Sequence, residues 1–282
     1  MVENRPFVTA VSHLTLVVGI GIVCLPLWIA FVASTHDVSR MFQSPAPFWP
    51  GTHLVENYLA VLRSGIGQSA NAPVGTMLIN SLIMALVIAI GKISISIVSA
   101  YAIVYFRFPF RMGFFWIIFV TLMLPVEVRI MPTYEVVAGL GMIDTYAGLT
   151  IPLIASAKRQ LLFRQFFLTI PGELVEAARI DGAGPLRFFR DILLPLSKTN
   201  IAALFVIQFI YGWNQYLWPL LVSTKESYYT VVMGISRMVN VVDAAPTWNL
   251  VMATAVLGLV PPVIVVLVMQ RWFVKGLVES EK

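Results

Sequence analysis

The 282-residue chain is 59% apolar or aromatic and only 12% charged, with a formal net charge of +5. Charge stands at about half the roughly 25% of soluble domains, which excludes a disordered chain, a collagen, a coiled coil and a disulfide-stapled secreted domain. It also argues against an ordinary soluble enzyme, and lipid is the solvent that suits such a surface. Cys24 is the single cysteine, so no intrachain disulfide forms and the residue reads as a small buried hydrophobe. His13, His36 and His53 do not recur at metal-ligand spacing, so no metal site is expected. The basic residues are confined to particular loops, which does not suit nucleic acid.

In chain order, residues 11–34 form the first apolar run, with no charge across 24 positions. It is too long for a signal-peptide core and reads as a retained transmembrane helix. Residues 36–75 follow as an external loop rich in Pro, Gly and Trp, a composition that favours turns and extended chain over a long helix. The second run, 76–106, is interrupted by Lys92, which reads as snorkelling or paired with a carboxylate. The third, 112–131, ends in a polar patch at Glu127 and Arg129. The fourth, 146–170, carries Lys158 and Arg159 near its middle. The fifth is 200–223, holding Trp213, Asn214, Tyr216 and Trp218, and the sixth is 248–270. Asn214 and Gln215 are expected to face the interior, and Trp218 is the best candidate for an interfacial belt. One set of flanks holds eleven cations and the opposite set five, which places both termini in the cytoplasm.

Residues 169–199, TIPGELVEAARIDGAGPLRFFRDILLPLSKT, are neither span nor tail. Pro171 suits a first helical position, and Glu173 and Glu176 suit the N-terminal end of a helix dipole. The spacing predicts a helix through Ile180, a stop near Asp181 and Gly182, and a second helix from Pro185 to Pro195. Leu186, Phe189, Ile192 and Leu193 recur at helical spacing as its apolar face. Two short helices at an angle make a knob that fits a partner's groove, with Ala177 and Ala178 keeping one side thin. An amphipathic hairpin lying on the membrane is the alternative that these patterns leave open.

Glu176-Ala177-Ala178, then Gly182, Ile192 and Leu194-Pro195, match the EAA loop of ABC-importer permeases at every fixed position. Arg164-Gln165-Phe166-Phe167 and the run from Trp213 to Leu220 resemble the carbohydrate-uptake branch, which includes the maltose permease subunits. The starting segment Met1 to Pro6, Leu124 to Ile130 and Met269-Gln270-Arg271 look like the second permease subunits of sn-glycerol-3-phosphate importers. The resemblance implies an all-α membrane protein of the type I importer permease fold, a single domain over 1–282 with six spans and the EAA coupling helix-turn-helix at 171–199.

The resemblance further implies a bacterial inner-membrane subunit that forms half of a translocation pathway for sn-glycerol 3-phosphate, or for its phosphodiesters. Its expected partners are a second homologous permease subunit, two cytoplasmic ATP-binding subunits, a periplasmic solute-binding protein and membrane lipid. Such a subunit is not an enzyme: the chain has no Walker A loop, and ATP and Mg belong to the partner ATPase. Glu176, Ala177, Ala178, Asp181 and Gly182 are the expected ATPase-coupling surface. Arg129, Lys158, Arg159, Trp213, Asn214 and Tyr216 are the expected substrate pathway, because a phosphate ester calls for cations and Arg grips its oxygens in pairs. A permease for a neutral sugar or oligosaccharide is the alternative within the family. A secondary transporter without ATP is the alternative outside it, although no inverted repeat is seen.

Overall fold

In the computed structural model, which describes residues 6–64, 72–121, 126–154, 160–240 and 246–279, the chain is helical and no strand occurs among the described residues. It divides into two units, residues 1–76 with 234–260 and residues 77–233 with 261–282. Among the described residues, three helices are long and apolar enough to cross a membrane: Phe7–Ser34, Val74–Tyr105 and Trp248–Trp272.

In the first unit, α1 (Pro6–Ser34) starts with proline, whose missing N–H costs nothing in a first turn. Its apolar side chains point away from the chain on all sides, with Leu14 and Ile22 65% and 67% exposed. A helix that is apolar all round and uncovered by its own chain calls for lipid or a partner helix. Cys24, expected to be buried, is exposed here, because α1 has so few neighbours of its own. Only the end of α1 is built into protein. Thr35 Oγ1 donates to Val32 O at 2.6 Å and accepts from Gly51 N at 2.7 Å. A Cβ on Gly51 would lie 2.7 Å from the Thr35 carbonyl oxygen, so the loop can pass this closely only as glycine.

The loop after α1 holds more helix than its composition suggests: α2 (Val38–Met41) and the ten-residue α3 (Leu54–Arg63). Asp37 caps α2 through its side chain and is held below the ordinary carboxylate range by its bonds from Ser39. Buried Asn57 of α3 donates to Ser34 O and His36 O, both at 2.9 Å, which pins α3 to the end of α1.

The second unit is built on α4 (Val74–Tyr105) from residue 77 onward. One face of α4 is buried through Met84, Ile88, Ile93, Ile97 and Ala100, while Ile90, Ile95 and Val98 are exposed. On it pack α6 (Val126–Gly139), α7 (Tyr146–Ile154) and α8 (Gln160–Leu168), and Phe115 of α5 (Arg111–Thr121) lies under Arg164 of α8. The third expected span falls on α5 and α6, and the fourth on α7 and α8. Residues 122–125 and 155–159, between the members of each pair, lie outside those described. Small residues allow close helix approach: a Cβ on Gly212 would come 2.9 Å from Ala85 Cα.

The fifth expected span is not one helix. α12 (Lys198–Trp213) stops, residues 214–216 are non-helical, and α13 (Leu217–Val222) follows. Pro219 explains the break, because its ring would clash with the carbonyl of residue 215 in a continuous helix and its nitrogen could not donate to it. The loop at 225–246 likewise contains α14 (Val231–Val239), and the chain closes with α15 (Trp248–Glu279).

Two polar clamps join the connections of this unit. Asn80 of α4 donates to Ser227 O and Tyr229 O at 2.8 and 3.0 Å and accepts from Tyr146 Oη at 2.7 Å. Asp144, at φ +56°, accepts from Thr224 N at 2.6 Å, from Lys225 N at 2.9 Å and from the Thr224 hydroxyl. Burial pushes this carboxyl up, but the bonds from Lys225 and Thr224 outweigh it and hold the group below its ordinary value.

Candidate functional site

The candidate site begins at α9 (Gly172–Ile180), with Pro171 at its N-cap, one position earlier than expected, and Glu173 in its first turn. Ala183 N donates to Ala178 O at 2.8 Å and Gly182 N to Arg179 O at 3.0 Å. This pair of bonds is a Schellman closure, and Gly182 occupies its left-handed position at φ +69°. No atom lies within 4 Å of the place a Cβ would take, so glycine is needed here for its φ and not for space.

The second helix runs as α10 (Pro185–Phe188), a π-helical turn (Phe189–Leu193) and α11 (Leu194–Leu196). Of the expected apolar positions, Phe189, Ile192 and Leu193 pack into the core and Leu186 does not, while Phe188 joins them. Leu186 is 80% exposed, whereas Phe188 and Leu193 are buried. These two are five residues apart, and a turn widened to i→i+5 brings them to one side. They pack with Ile97, Ala100, Phe163 and Ala178 in one apolar cluster.

Ala178 therefore faces the chain's own core, where its small side chain lets α9 lie close. Tyr101 of α4 donates to Pro185 O at 2.8 Å, and the Tyr105 and Phe188 rings lie 5.3 Å apart. The loop is thus tied to α4. Glu176, Ala177, Asp181 and Gly182 point outward and are exposed. Beside them stand Ile180, expected only as the end of the first helix, and Leu186, expected on the buried apolar face; they are 86% and 80% exposed. Their signal was their position on either side of the Asp-Gly turn. The result is a stiff knob with an apolar crown and an acidic rim.

The expected pathway residues are spread over α6, the end of α12 and the break after it. Arg129 on α6 is half-buried and makes no ion pair with Glu135. Trp213 is buried and stacked on Phe209 at 5.8 Å, a packing role. Asn214 and Tyr216 are exposed at the break, and Gln215 donates to Tyr211 O at 3.0 Å. Asn214 was expected to face the interior; within this chain it does not, because the helix ends there. Trp218 is no interfacial belt: it is buried and donates to Gly148 O at 3.1 Å. Lys92 is buried with Nζ 3.9 Å above the Tyr211 ring, a cation–π contact. Lys158 and Arg159 lie outside the described residues.

Residues 92–279 match the model of the binding-protein-dependent transport system inner membrane components. The chain belongs to this family. The sn-glycerol-3-phosphate transport system permease protein UgpE of Agrobacterium fabrum is 61% identical over 282 residues, covering 100% of both chains. Its namesake from Rhizobium meliloti is 60% identical over the same full length, and that from Yersinia pestis 58%. A solved bacterial ABC transporter involved in importing the acidic polysaccharide alginate is similar in fold, with a TM-score of 0.79 and 21% identity. That likeness covers 97% of this chain and 99% of that one. The chain is thus an inner-membrane transport component with the ABC-importer permease fold. Its relatives are permease subunits and not enzymes.

Proposed function

We propose that the chain is the permease subunit of an ATP-driven importer of sn-glycerol 3-phosphate and forms half of its translocation pathway. The observation that carries this reading is the 61% identity, end to end, with a protein named for that transport system. In this reading six spans cross the bacterial inner membrane, formed by α1, α4, α5 with α6, α7 with α8, α12 with α13, and α15. The eleven-to-five cation bias supports cytoplasmic termini.

A second homologous permease supplies the other half of the pathway, and a periplasmic solute-binding protein delivers substrate. Two cytoplasmic subunits bind ATP and magnesium. The chain itself forms and breaks no covalent bond. Glu176, Ala177, Asp181 and Gly182, with Ile180 and Leu186, form the face that meets the ATPase. Ala178 serves the same coupling from inside, by holding α9 to the core. Motion of the knob passes to α4 through Tyr101, Tyr105 and Phe188.

Irregular backbone at membrane depth is tolerated only where it is covered by protein or lines a wet cavity. The break at 214–216 is therefore assigned to the pathway side, with Asn214 and Tyr216 toward substrate or the sister subunit and Trp213 holding the end of α12. Arg129 is assigned to the substrate's phosphate, with Lys158 and Arg159 as further cations along the route. The test is initial uptake of labelled glycerol 3-phosphate by the reconstituted complex, with maltose as the competitor class. Arg129→Gln is expected to reduce uptake of glycerol 3-phosphate far more than assembly or basal ATPase activity. Uptake of maltose in preference to glycerol 3-phosphate overturns the substrate assignment.

A further inference from the structure

We propose that the cavity between the end of α4 and the coupling loop binds the phosphodiester headgroup of an anionic phospholipid. The cavity measures about 280 Å³, and its lining includes Tyr101, Tyr105, Arg107, Arg179, Pro185 and Phe188. The tyrosine hydroxyls are already committed: Tyr101 donates to Pro185 O at 2.8 Å and Tyr105 to Phe167 O at 3.4 Å. The free donors at the cavity are the guanidinium groups of Arg107 and Arg179. Both residues are exposed, and neither makes an ion pair or side-chain hydrogen bond with another described residue. The carboxylates of α9 and its C-cap, Glu173, Glu176 and Asp181, are exposed and do not line the cavity. An aromatic cup with two unpaired arginines at its edge is a receptor for an anion that carries apolar mass. Each guanidinium can grip phosphodiester oxygens with two parallel hydrogen bonds.

The level of the cavity in the membrane selects lipid as the occupant. Arg107 is two residues beyond Tyr105, the last residue of an apolar 32-residue helix, which is where headgroups begin. The neighbouring Phe106 and Phe110 are 42% and 84% exposed, as suits rings placed in an interfacial belt. A free phosphate ion would leave the aromatic walls wet, whereas a lipid brings glycerol and acyl carbons to cover them. With the orientation proposed above, the cavity opens to the cytoplasmic leaflet, whose anionic lipids attract basic residues. A headgroup held by Arg107 and Arg179 bridges the end of α4 to α9. It therefore stiffens the same joint through which the knob is tied to the membrane helices.

The test uses the full chain purified with its partner subunits in nanodiscs of phosphatidylcholine with phosphatidylglycerol, read by native mass spectrometry for retained lipid. Arg107→Gln is expected to lower retained phosphatidylglycerol about fivefold, and Arg107→Gln with Arg179→Gln about thirtyfold. Arg107→Lys, which keeps the charge but not the paired hydrogen bonds, should recover only part of the single-site loss. Arg190→Gln, an exposed cation of the same loop outside the cavity, should leave retention unchanged. Equal retention by wild type and the double variant overturns the proposal. So does equal retention of phosphatidylcholine with displacement by inorganic phosphate, the signature of a free-anion site. Reporters at the termini test the orientation separately: their failure moves the cavity to the other leaflet without altering retention.

Discussion

Gly182 allows the coupling account to be tested with one position and three side chains. Its φ of +69° lies in the left-handed region, where an ordinary L-residue costs about 1–2 kcal/mol. Nothing lies within 4 Å of the Cβ position, so no steric cost adds to that strain. The Schellman bonds of 2.8 and 3.0 Å remain available to any residue that accepts the conformation. A cost of this size is small against the roughly 5–15 kcal/mol that hold a domain together, so every substitution here should insert normally. Gly182→Asn, which tolerates left-handed backbone, is expected to keep uptake within about twofold of wild type. Gly182→Ala carries the strain with little added bulk and should lose about fivefold. Gly182→Arg carries the strain and also places a long cation on the outward face, and should abolish uptake. The assay is initial glycerol 3-phosphate uptake in membranes with matched permease levels, with copurification of the ATPase read in parallel. Wild-type uptake by Gly182→Arg would remove this residue from the coupling face. Failure of that variant to insert would refute the claim that the position is free of steric constraint.

Asp144→Asn should lower thermal stability of the purified chain at neutral pH by about 1 kcal/mol, because a charged acceptor of three bonds becomes neutral. The folded carboxyl lies below its unfolded value, so its contribution is present above the unfolded pKa and fades as pH falls through the folded one; melting curves of the two proteins should converge below about pH 4. Phe188→Ala should cost about 3–5 kcal/mol by opening a cavity in the loop's core, while Tyr101→Phe, losing one hydrogen bond, should cost about 1 kcal/mol. Both should weaken substrate-stimulated ATP hydrolysis of the complex in that same order, and an unchanged stimulation in Phe188→Ala refutes the proposed link to α4. A reporter fused after Lys282 should read cytoplasmic and one inserted near Pro50 periplasmic; opposite signals overturn the orientation.

The long apolar stretches and the turn at Gly182 were legible in the sequence, for physical reasons that act locally. Twenty uncharged residues need lipid whatever their neighbours are, and a left-handed turn selects glycine through the backbone of that residue alone. The helix-turn-helix around it was legible through Pro171 and Pro185, which mark the two helix starts on either side of that turn. Other features depended on partners distant in the chain. Leu186 and Phe188 are both large and apolar, and only packing against α4 and α8 decides that Phe188 is inside and Leu186 outside. Trp218 reads equally well as belt or core until Gly148 O is found 3.1 Å from its indole nitrogen. Trp213, Asn214 and Tyr216 sit within one apolar run, yet the first is packed on Phe209 and the other two are exposed, because Pro219 ends the helix between them. In a soluble protein the apolar face of a helix marks its core. A membrane helix is apolar on every face, so periodicity no longer separates lipid from protein, and only the tertiary contacts do.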